Sequence, residues 1–398
     1  MSNGPLSGLR VIDLSTIFAG PLCGALLGDL GADVIKVELP GAGDPLRALP
    51  PHKNGIALWS KVTNRNKRAI TLDLRRPQSL EVLKRLLPKC DVLIENFRPG
   101  TLDKWGITNA WMHGLNPRLT ILRQTGWGQS GPYRHRPGFA RAFEALSGFT
   151  NLCGEADGPP LHLGYPISDA IGGLFGAIGV LAALVELGQS PERTGQEIDC
   201  SISEAMLRVL DFVLIEYDQL RYSRQRSGNT SLYSAPSSVF QTRDGRWVSL
   251  PASTQNIFER LVQAIGRPEL KSDPRFATNP DRVGHRDEIN GAVAAVLGQL
   301  TFAELETRLD AYGIAFAPIN DAAQVFADPH FKARDAIIEV SDQELGPVRM
   351  QAVVPRFSRT PGRVRVTGGS VGQHTTEVLS ELGFGRAEIA QLAAQQVI

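Results

Sequence analysis

Asp169 is the residue of this sequence whose surroundings most clearly allow chemistry. It follows Gly164-Tyr-Pro-Ile-Ser and precedes a run of small and apolar residues in which nothing ionisable occurs until Glu186. A carboxylate at the start of an apolar helix is either an N-cap, a role for which Asp is preferred, or a nucleophile. Taken alone, Asp169 is predicted to be a cap, and the nucleophile remains the alternative.

Three basic segments offer candidate anion-binding side chains. The first, Thr63-Asn-Arg-Asn-Lys-Arg68, is predicted to lie in a loop after a strand and has donors for an anionic ligand. The second, 95–106, begins at the end of a strand, where open α/β sheets bind ligands, and its aromatic ring between cations suits an adenine and phosphates. The candidate ligand-binding side chains of this second segment are Asn96, Phe97, Arg98 and Lys104. The third basic segment is Tyr133-Arg-His-Arg136. A solvated charged loop is the open alternative for each.

Several common chemistries are disfavoured by absent motifs. The first strand is not followed by Gly-x-Gly-x-x-Gly, and no Gly-Lys-Ser phosphate loop occurs, so a dinucleotide or phosphate-loop enzyme is not expected. The seven His residues form no His-Glu-x-x-His, which disfavours a metal site. A Gly-x-Ser-x-Gly elbow is also missing, which weakens an α/β-hydrolase interpretation.

Strand-like and helix-like patterns alternate in the first part of the chain, which predicts an α/β fold with a Rossmann-like parallel sheet. The predicted strands are Leu9–Leu14, Ala32–Glu38, Ala69–Leu72, Asp91–Glu95 and Leu119–Arg123. Predicted helices include Ala19–Leu30, Ala170–Leu187, Glu204–Arg221 and a last one within Ser370–Leu382. We expect a large domain over 1–222, a small α+β domain over 223–327 with a hairpin turn at Asp244-Gly245, and a return to the large domain over 328–398.

The bulk composition is that of an ordinary soluble globular protein. The 398 residues carry a formal net charge of +1, which gives no argument for nucleic acid or a membrane surface. The four Cys residues lack metal-ligand spacing and are expected to be reduced. The N-terminus has no secretory pattern. The apolar run from Ala170 to Val185 is shorter than the roughly 20 residues that a membrane span needs. A cytoplasmic protein is therefore expected.

Taken together and in order, many segments resemble the family III CoA-transferases, the carnitine and formyl-CoA transferase type. The match extends over nearly the whole chain. It includes Pro5-Leu-Ser-Gly-Leu-Arg-Val-Ile-Asp-Leu14, Gly31-Ala-Asp-Val-Ile-Lys-Val-Glu38, Asn66-Lys-Arg-Ala-Ile-Thr-Leu-Asp73, Asp91-Val-Leu-Ile-Glu-Asn-Phe-Arg-Pro-Gly100 and Gly126-Trp-Gly-Gln-Ser-Gly-Pro132. Single pieces are weak signals, whereas the ordered set is specific for the superfamily and much less so for a substrate.

The resemblance implies an acyl-CoA and a small carboxylic acid as substrates, no permanently bound cofactor, no metal, and an interlocked homodimer. The catalytic Asp of such enzymes falls on Asp169. The positions that match CoA contacts are Thr16, Ile17, Phe18, Arg75, Asn96, Phe97, Lys104 and, approximately, Arg136. Leu39 stands where some members have Arg. The segment Ser231-Leu-Tyr-Ser-Ala-Pro236 replaces a run of glycines that closes over the site in formyl-CoA relatives.

Two rival functions remain. The α-methylacyl-CoA racemases share this fold and use a His-Asp dipeptide that would fall on Phe139-Ala140, where neither residue transfers protons. A non-catalytic acyl-CoA-binding protein is the other alternative. It would keep all measurable function after Asp169→Ala.

The acids themselves are suggested by one departure. Ala140 stands where many members of the family have Asp or Glu, and it is followed here by Arg141. Glu144 stands where Gln is frequent. We expect Arg141 to hold the second carboxylate of a dicarboxylic acid, although a surface Arg on a helix is an equal alternative. The expected donor is succinyl-CoA, and candidate acceptors are itaconate, mesaconate, citramalate and glutarate.

Overall fold

A computed structural model describes residues 4–398. Its centre is a sheet of six parallel strands in the order β5-β2-β1-β6-β7-β8. These strands are β1 (Arg10–Asp13), β2 (Asp33–Glu38), β5 (Lys67–Thr71), β6 (Val92–Glu95), β7 (Thr120–Thr125) and β8 (Glu197–Ser201), and a short antiparallel pair is formed by β3 (His52–Lys53) and β4 (Ile56–Ala57). The expected α/β class with a parallel sheet is confirmed. The edge strand β8 escaped prediction because alternate residues are exposed and the segment lacks an apolar run.

The strand order reverses between β1 and β6. From β1 the chain continues outward through β2 and β5, whereas from β6 it continues through β7 and β8 on the other side. The register aligns Val11 with both Val34 and Val92, so the three strands end at one edge. The loops that leave β1 and β6 must therefore separate at this point and open a crevice, which is where open α/β sheets bind ligands.

Helices cover both faces of the sheet and bury a continuous apolar layer on each. In chain order the helices up to residue 220 are α1 (Ala19–Asp29), α2 (Leu58–Thr63), α3 (Ser79–Leu86), α4 (Thr101–Lys104), α5 (Asn109–Leu115), α6 (Ala140–Leu146), α7 (Phe149–Leu152), α8 (Ile167–Gln189), α9 (Ile202–Arg208) and α10 (Phe212–Leu220). Helices α3 and α5 pack on one face, against residues such as Ile12, Ile35 and Leu93. Helices α1 and α8 pack on the other, around Val11 and Val34.

Helices α1 and α8 approach each other closely because α8 has a glycine at their crossing. A Cβ atom on Gly173 would lie 2.8 Å from the carbonyl oxygen of Ala19 and 3.1 Å from Cδ2 of Leu22. Gly172 faces Ile202 and Gln124 in the same way, at 3.0 and 3.1 Å. Packing therefore accounts for both glycines.

Helix α8 is longer than its apolar run suggested. With 23 residues it is, among residues 4–398, the one helix long and apolar enough to cross a membrane, and 39% of its most apolar window is buried. The core helix of a soluble protein passes the same test, so this is weak evidence for a membrane. The expectation that the segment is too short is wrong, because the helix begins at Ile167 and ends at Gln189.

By Cα proximity, the chain divides into two units. The first comprises residues up to Phe149, His162–Leu220 and His330–Ile398, and the second comprises Thr150–Leu161 and Arg221–Pro329. The second unit has an antiparallel sheet with Asp244 and Gly245 in the turn between its first two strands. Its elements are β9 (Ser237–Gln241), β10 (Trp247–Pro251), β11 (Ala317–Pro318), α11 (Gln255–Ala264), α12 (Asn279–Gly284), α13 (Arg286–Leu297), α14 (Phe302–Ala311) and α15 (Ala322–Ala327).

The C-terminal part returns to the first unit. It contains α16 (Pro329–Ala333), β12 (Ile337–Asp342), β13 (Gly346–Gln351), α17 (Thr375–Glu381) and α18 (Arg386–Ala394), with α16 beginning at the junction of the two units. Backbone hydrogen bonds from His374 to Ala69 and from Asp73 to Val397 fix it beside β5. The helix expected within 370–382 is present, and α18 is an additional one.

Candidate active site

Asp169 lies within the first turn of α8 and does not cap it. The helix begins at Ile167, Pro166 occupies the N-cap position, and no side chain caps the helix. Within residues 4–398 the Asp169 carboxylate has no hydrogen bond or salt bridge. Burial, and to a smaller extent the nearby Glu144 carboxylate, raise the pKa of Asp169 to about 7. The cap interpretation is wrong, and a free, poorly solvated carboxylate remains.

Asp169 lines a cavity of about 340 Å³ at the switch point of the sheet. The loop after β1, the loop after β6 and the end of β7 supply most of its walls. The residues that line it are Thr16–Ala19, Asn96–Pro99, Gln124–Trp127, Arg134, Arg136–Phe139, Phe143, Asp169 and Ile202. Of the sequence-predicted site residues, the structure thus brings together Asp169, Thr16, Ile17, Phe18, Asn96, Phe97 and Arg136.

A second cavity of about 300 Å³, mainly apolar, shares Thr16 and Phe97 with the first. Its walls are Leu14, Thr16, Val37–Leu39, Gly43–Pro45, Leu72–Arg75, Phe97 and Trp105. The rings of Phe97 and Trp105 meet edge to face, with centroids 5.3 Å apart. Arg75 stands at this cavity, and its guanidinium is paired with Asp73 at 2.7 Å.

The loop after β1 is held by side chains from two other segments. Asn96 receives a hydrogen bond from the Thr16 backbone N–H at 2.8 Å and donates one to the Thr16 carbonyl at 2.8 Å. The Asp44 carboxylate accepts the Ile17 N–H at 3.0 Å. Ile17 has a φ of 67°, a left-handed conformation that is strained for a β-branched residue. The Asn96 amide thus positions the loop backbone.

A buried ionic network lies under this loop. Lys36 pairs with Asp44 at 3.0 Å and donates to the Ser15 carbonyl, and Lys67 pairs with Asp13 at 2.8 Å. Burial opposes the charge on Asp13, but the charges of Lys36 and Lys67 hold its pKa below the usual value. Removing one member would leave an uncompensated buried charge.

The basic segment 63–68 supplies structural contacts. Arg65 forms a salt bridge with Asp29 at 2.5 Å, and the Asn66 amide donates to the same carboxylate at 2.7 Å. Lys67 belongs to the buried network. The expected anionic ligand is therefore not supported here, because these donors already have partners within the protein.

Two further expected residues lie apart from both cavities. Arg141 is exposed on α6, whose buried side presents Ala140, Phe143 and Glu144, and it does not line either cavity. Successive helical residues are about 100° apart, so Arg141 and Ala140 cannot face the same way. Lys104 is likewise exposed and outside the lining of both cavities. The guanidinium groups that do line the Asp169 cavity are those of Arg98, Arg134 and Arg136.

Sequence reasoning missed two polar groups near Asp169. Gln124, fully buried at the end of β7, lines the cavity, and neither its amide nitrogen nor its amide oxygen has a hydrogen-bond partner among the described residues. His162 lies with Nδ1 3.5 Å from the buried Glu144 carboxylate. Polar residues at the end of a buried strand signalled Gln124, whereas nothing in the sequence signalled His162.

Comparison with known proteins gives a consistent family. The model of CoA-transferase family III matches residues 6–375. Succinyl-CoA–D-citramalate CoA-transferase of Chloroflexus aurantiacus is 43% identical over 396 residues, which are 99% of this chain and 98% of the relative. The succinyl-CoA–L-malate CoA-transferase beta subunit of the same organism is 42% identical, covering 99% and 98% of the two chains. A crystal structure of a CAIB/BAIF family protein from Brucella suis superimposes with a TM-score of 0.86 at 34% identity, covering 96% of this chain and all of that one.

Proposed function

Because this chain belongs to CoA-transferase family III, we propose that it moves CoA from succinyl-CoA to a free dicarboxylic acid, with Asp169 as the acyl-accepting nucleophile. The chain is a CoA-transferase, and such enzymes use a CoA thioester as a substrate. The acceptors that we propose are citramalate, malate, itaconate, mesaconate or glutarate. The observation that carries the proposal is the Asp169 carboxylate, which has no partner and lines the cavity at the switch point.

The reaction conserves the energy of the thioester in four exchanges. An Asp169 oxygen attacks the thioester carbonyl, the C–S bond breaks, and CoA leaves as the thiolate, so that the donor acyl group remains on Asp169 as a mixed anhydride. The thiolate attacks the aspartyl carbonyl, which releases the donor acid and leaves an aspartyl-CoA thioester. The acceptor carboxylate displaces the thiolate to form a second anhydride. The thiolate then attacks the acceptor's acyl carbonyl, which yields the new thioester and returns the Asp169 carboxylate.

The surroundings of Asp169 suit this chemistry. A carboxylate without hydrogen bonds is poorly stabilised as an anion and is therefore a stronger nucleophile than a solvated one. The pKa of about 7 leaves a substantial ionised fraction at neutral pH. Asp169 also lies in the first turn of the 23-residue helix α8, where free backbone N–H groups favour negative charge and can stabilise an oxyanion.

The two cavities divide the CoA molecule between them in our proposal. The apolar second cavity, with Phe97 and Trp105, accepts the adenine, and Thr16 and Phe97 stand where the two cavities meet. Of the three cations assigned to CoA from the sequence, Arg75 is retained at this cavity, Lys104 lies outside the lining of both cavities, and Arg136 lines the Asp169 cavity instead.

We assign the second carboxylate of the acid to the cationic wall of the Asp169 cavity. Arg134 and Arg136 line it, and Arg136 stacks on the Tyr133 ring at 3.7 Å, which restricts its guanidinium. This assignment replaces Arg141. Guanidinium groups bind carboxylates with two parallel hydrogen bonds, which favours a diacid over a monoacid.

We also propose a homodimer, interlocked as the resemblance implies. Its support is an apolar surface on the first unit that the chain leaves uncovered. Leu174, Ile178 and Val185 on α8 are at least half exposed, and every residue of α10 is at least partly exposed. Exposed apolar patches of this kind mark association surfaces. Soluble substrates and this assembly fit a cytoplasmic enzyme.

The proposed function is tested with a panel of acids. Succinyl-CoA and acetyl-CoA are each incubated with citramalate, malate, itaconate, mesaconate, glutarate and monocarboxylic controls, and thioesters are identified by mass spectrometry. We expect dicarboxyl-CoA products from succinyl-CoA only, and their loss in Asp169→Asn. Product formation that survives Asp169→Asn would contradict the role of Asp169, and no new thioester with any pair would contradict the substrate class.

One observation favours the racemase alternative: His162 lies close to Glu144, which is the charged neighbour of Asp169. Phe139 and Ala140 nevertheless offer no base at the dipeptide position. Incubating an α-methylacyl-CoA in deuterium oxide separates the two functions. Exchange of the α-proton would favour the racemase, and a transferase leaves that proton in place.

A further inference from the structure

Glu144 is a buried carboxylate for which the proposed transfer reaction has no use. It lies on the inner side of α6 and is 1% exposed. Its Oε1 accepts long hydrogen bonds from the backbone N–H of Ser168 at 3.4 Å and from the Ser168 hydroxyl at 3.3 Å. Ser168 precedes Asp169, and its hydroxyl also donates to the carbonyl of Ala140 at 2.9 Å. Glu144 therefore contacts the helical turn that carries the proposed nucleophile.

The second oxygen of Glu144 is left without a hydrogen bond among the described residues. Nδ1 of His162, whose side chain is about one-third exposed, lies 3.5 Å from this oxygen. A buried carboxylate with so few good hydrogen bonds costs folding free energy. Glu144 is thus poorly suited to a purely structural role, since an amide or an apolar residue would fill the same place at lower cost.

We propose that Glu144 is a positioning residue for Asp169, which it fixes through Ser168 while holding a second carboxyl group beside it, and that His162 regulates this effect through Glu144. The inference rests on the proposed function. Two buried carboxyl groups close together resist simultaneous ionisation, as in other paired carboxylates. The raised pKa of Asp169 agrees with this, with burial as the larger cause and Glu144 as the second.

Few other charged groups face Asp169. Tyr165, four residues before it, has a pKa raised by burial and by the Asp169 charge.

The charged groups on the elements packed against α8 have other partners or lie elsewhere. On the strands, Arg123 pairs with Glu95 and Glu197, and Asp199 accepts the N–H of Gln129. On the neighbouring helices, Asp29 of α1 pairs with Arg65, and Glu204 and Arg208 lie on α9. Arg98, Arg134 and Arg136 line the cavity from its loops, and Arg141 points outward from α6. Glu144 is the charged neighbour that raises the pKa of Asp169.

The proposal has a defined sign. Ionised Asp169 is the attacking form, so kcat/KM for the acyl-CoA falls as the pH decreases through the pKa of this group in the free enzyme. A negative neighbour moves this acid limb to higher pH. Replacing Glu144 by neutral Gln, which keeps the shape and a hydrogen-bonding group for Ser168, must move the limb to lower pH by about 1 unit. Burial remains, so the limb stays above the range of a solvated Asp.

The experiment compares pH profiles of kcat/KM for four proteins with succinyl-CoA and the acceptor that the panel identifies. They are the wild type, Glu144→Gln, His162→Phe and the double variant. Because His162→Phe replaces the polar group that lies 3.5 Å from the Glu144 carboxylate by an apolar one, it is expected to move the acid limb in the same direction by a smaller amount. It should add no shift in the Glu144→Gln background, because the imidazole acts through Glu144. His162 is partly exposed, so its variant keeps the test available even if Glu144→Gln fails to fold.

A matched control removes a carboxylate from the far end of the same helix. Glu186 is exposed and 17 residues beyond Asp169, which is roughly 25 Å along α8. Glu186→Gln should leave the acid limb unchanged. If Glu144→Gln and His162→Phe lower the rate equally at every pH and leave the limb in place, the inference is overturned and Glu144 is structural. If the wild type itself transfers no CoA to any acid, the proposed function fails instead, so the two failures are distinguishable.

Discussion

The crossing of α1 and α8 sets the position of Asp169, and Gly173→Ala tests it. A Cβ at Gly173 would lie 2.8 Å from the Ala19 carbonyl oxygen and 3.2 Å from the Leu22 Cβ, both of which are close to the backbone of α1. The helices must therefore move apart, since neither atom is the end of a flexible side chain. Overpacking of this kind costs about 1–3 kcal/mol, from which any helix-propensity gain of Ala has to be subtracted.

The matched control is Gly188→Ala near the end of the same helix. A Cβ there meets nothing within 4 Å, so only the propensity term acts. Replacing an interior helical Gly by Ala is worth about 0.5–1 kcal/mol in stability. We therefore expect Gly173→Ala to lower the unfolding midpoint in urea and Gly188→Ala to raise or preserve it.

The same pair also reports on the site. Asp169 is one helical turn before Gly173, so opening the crossing displaces the carboxylate relative to the loop after β1. We expect kcat with succinyl-CoA to fall about tenfold or more in Gly173→Ala, because small misplacements of reacting groups are costly. Gly188→Ala should retain wild-type turnover. Equal stability and equal turnover of the two variants would refute the packing argument.

Three further predictions follow from the site. Asp169→Asn should raise the melting temperature at pH 8 and have less effect at pH 4. The pKa of this carboxyl group is raised in the folded state, so the wild-type protein loses stability as the pH rises from about 4 through about 7, and the neutral amide avoids that loss. Equal shifts of the melting temperature at both pH values would contradict this. Lys67→Met should destabilise the protein by about 3–5 kcal/mol in a denaturant titration, because Asp13 would be left buried without its partner, and a change under 1 kcal/mol would argue against the network. Arg134→Gln should raise KM for a dicarboxylic acceptor by roughly 10-fold or more while KM for a monocarboxylic one changes little, and equal changes for both would remove the selectivity argument.

Much of the fold is readable from the sequence because its strands are continuous apolar runs. The segments at β1, β2, β6 and β7 are almost wholly buried and each contains two or three consecutive aliphatic residues, as expected of central parallel strands, although β2 and β7 also bury polar side chains. Strand β8 is exposed at alternate positions on the sheet edge, so its pattern resembles a loop. The last helix, α18, has a weakly amphipathic pattern in which only Leu392 is buried.

The site residues that directly follow a strand were predictable from the sequence, because the sheet fixes where those residues lie. Residues directly after β1 and β6 must meet at the switch point, and Thr16, Phe97 and Asp169 do line one cavity. The direction of a side chain on a short helix is decided by tertiary packing. Arg141 faces outward while Glu144, three residues later, faces inward. The contact between Glu144 and His162 depends on how the segment before α8 folds back, which no local pattern reveals.

The role of Asp169 as the group that carries the acyl chain is the central claim, and trapping tests it most directly. The protein is incubated with succinyl-CoA in the presence of hydroxylamine, digested, and the peptide containing Asp169 is sequenced by mass spectrometry. We expect a hydroxamate on Asp169 that forms only when the thioester is present. Its amount should decrease when an acceptor acid competes for the intermediate. An active preparation that turns over under the same conditions with Asp169 unmodified, or with the adduct on another residue, would contradict the account.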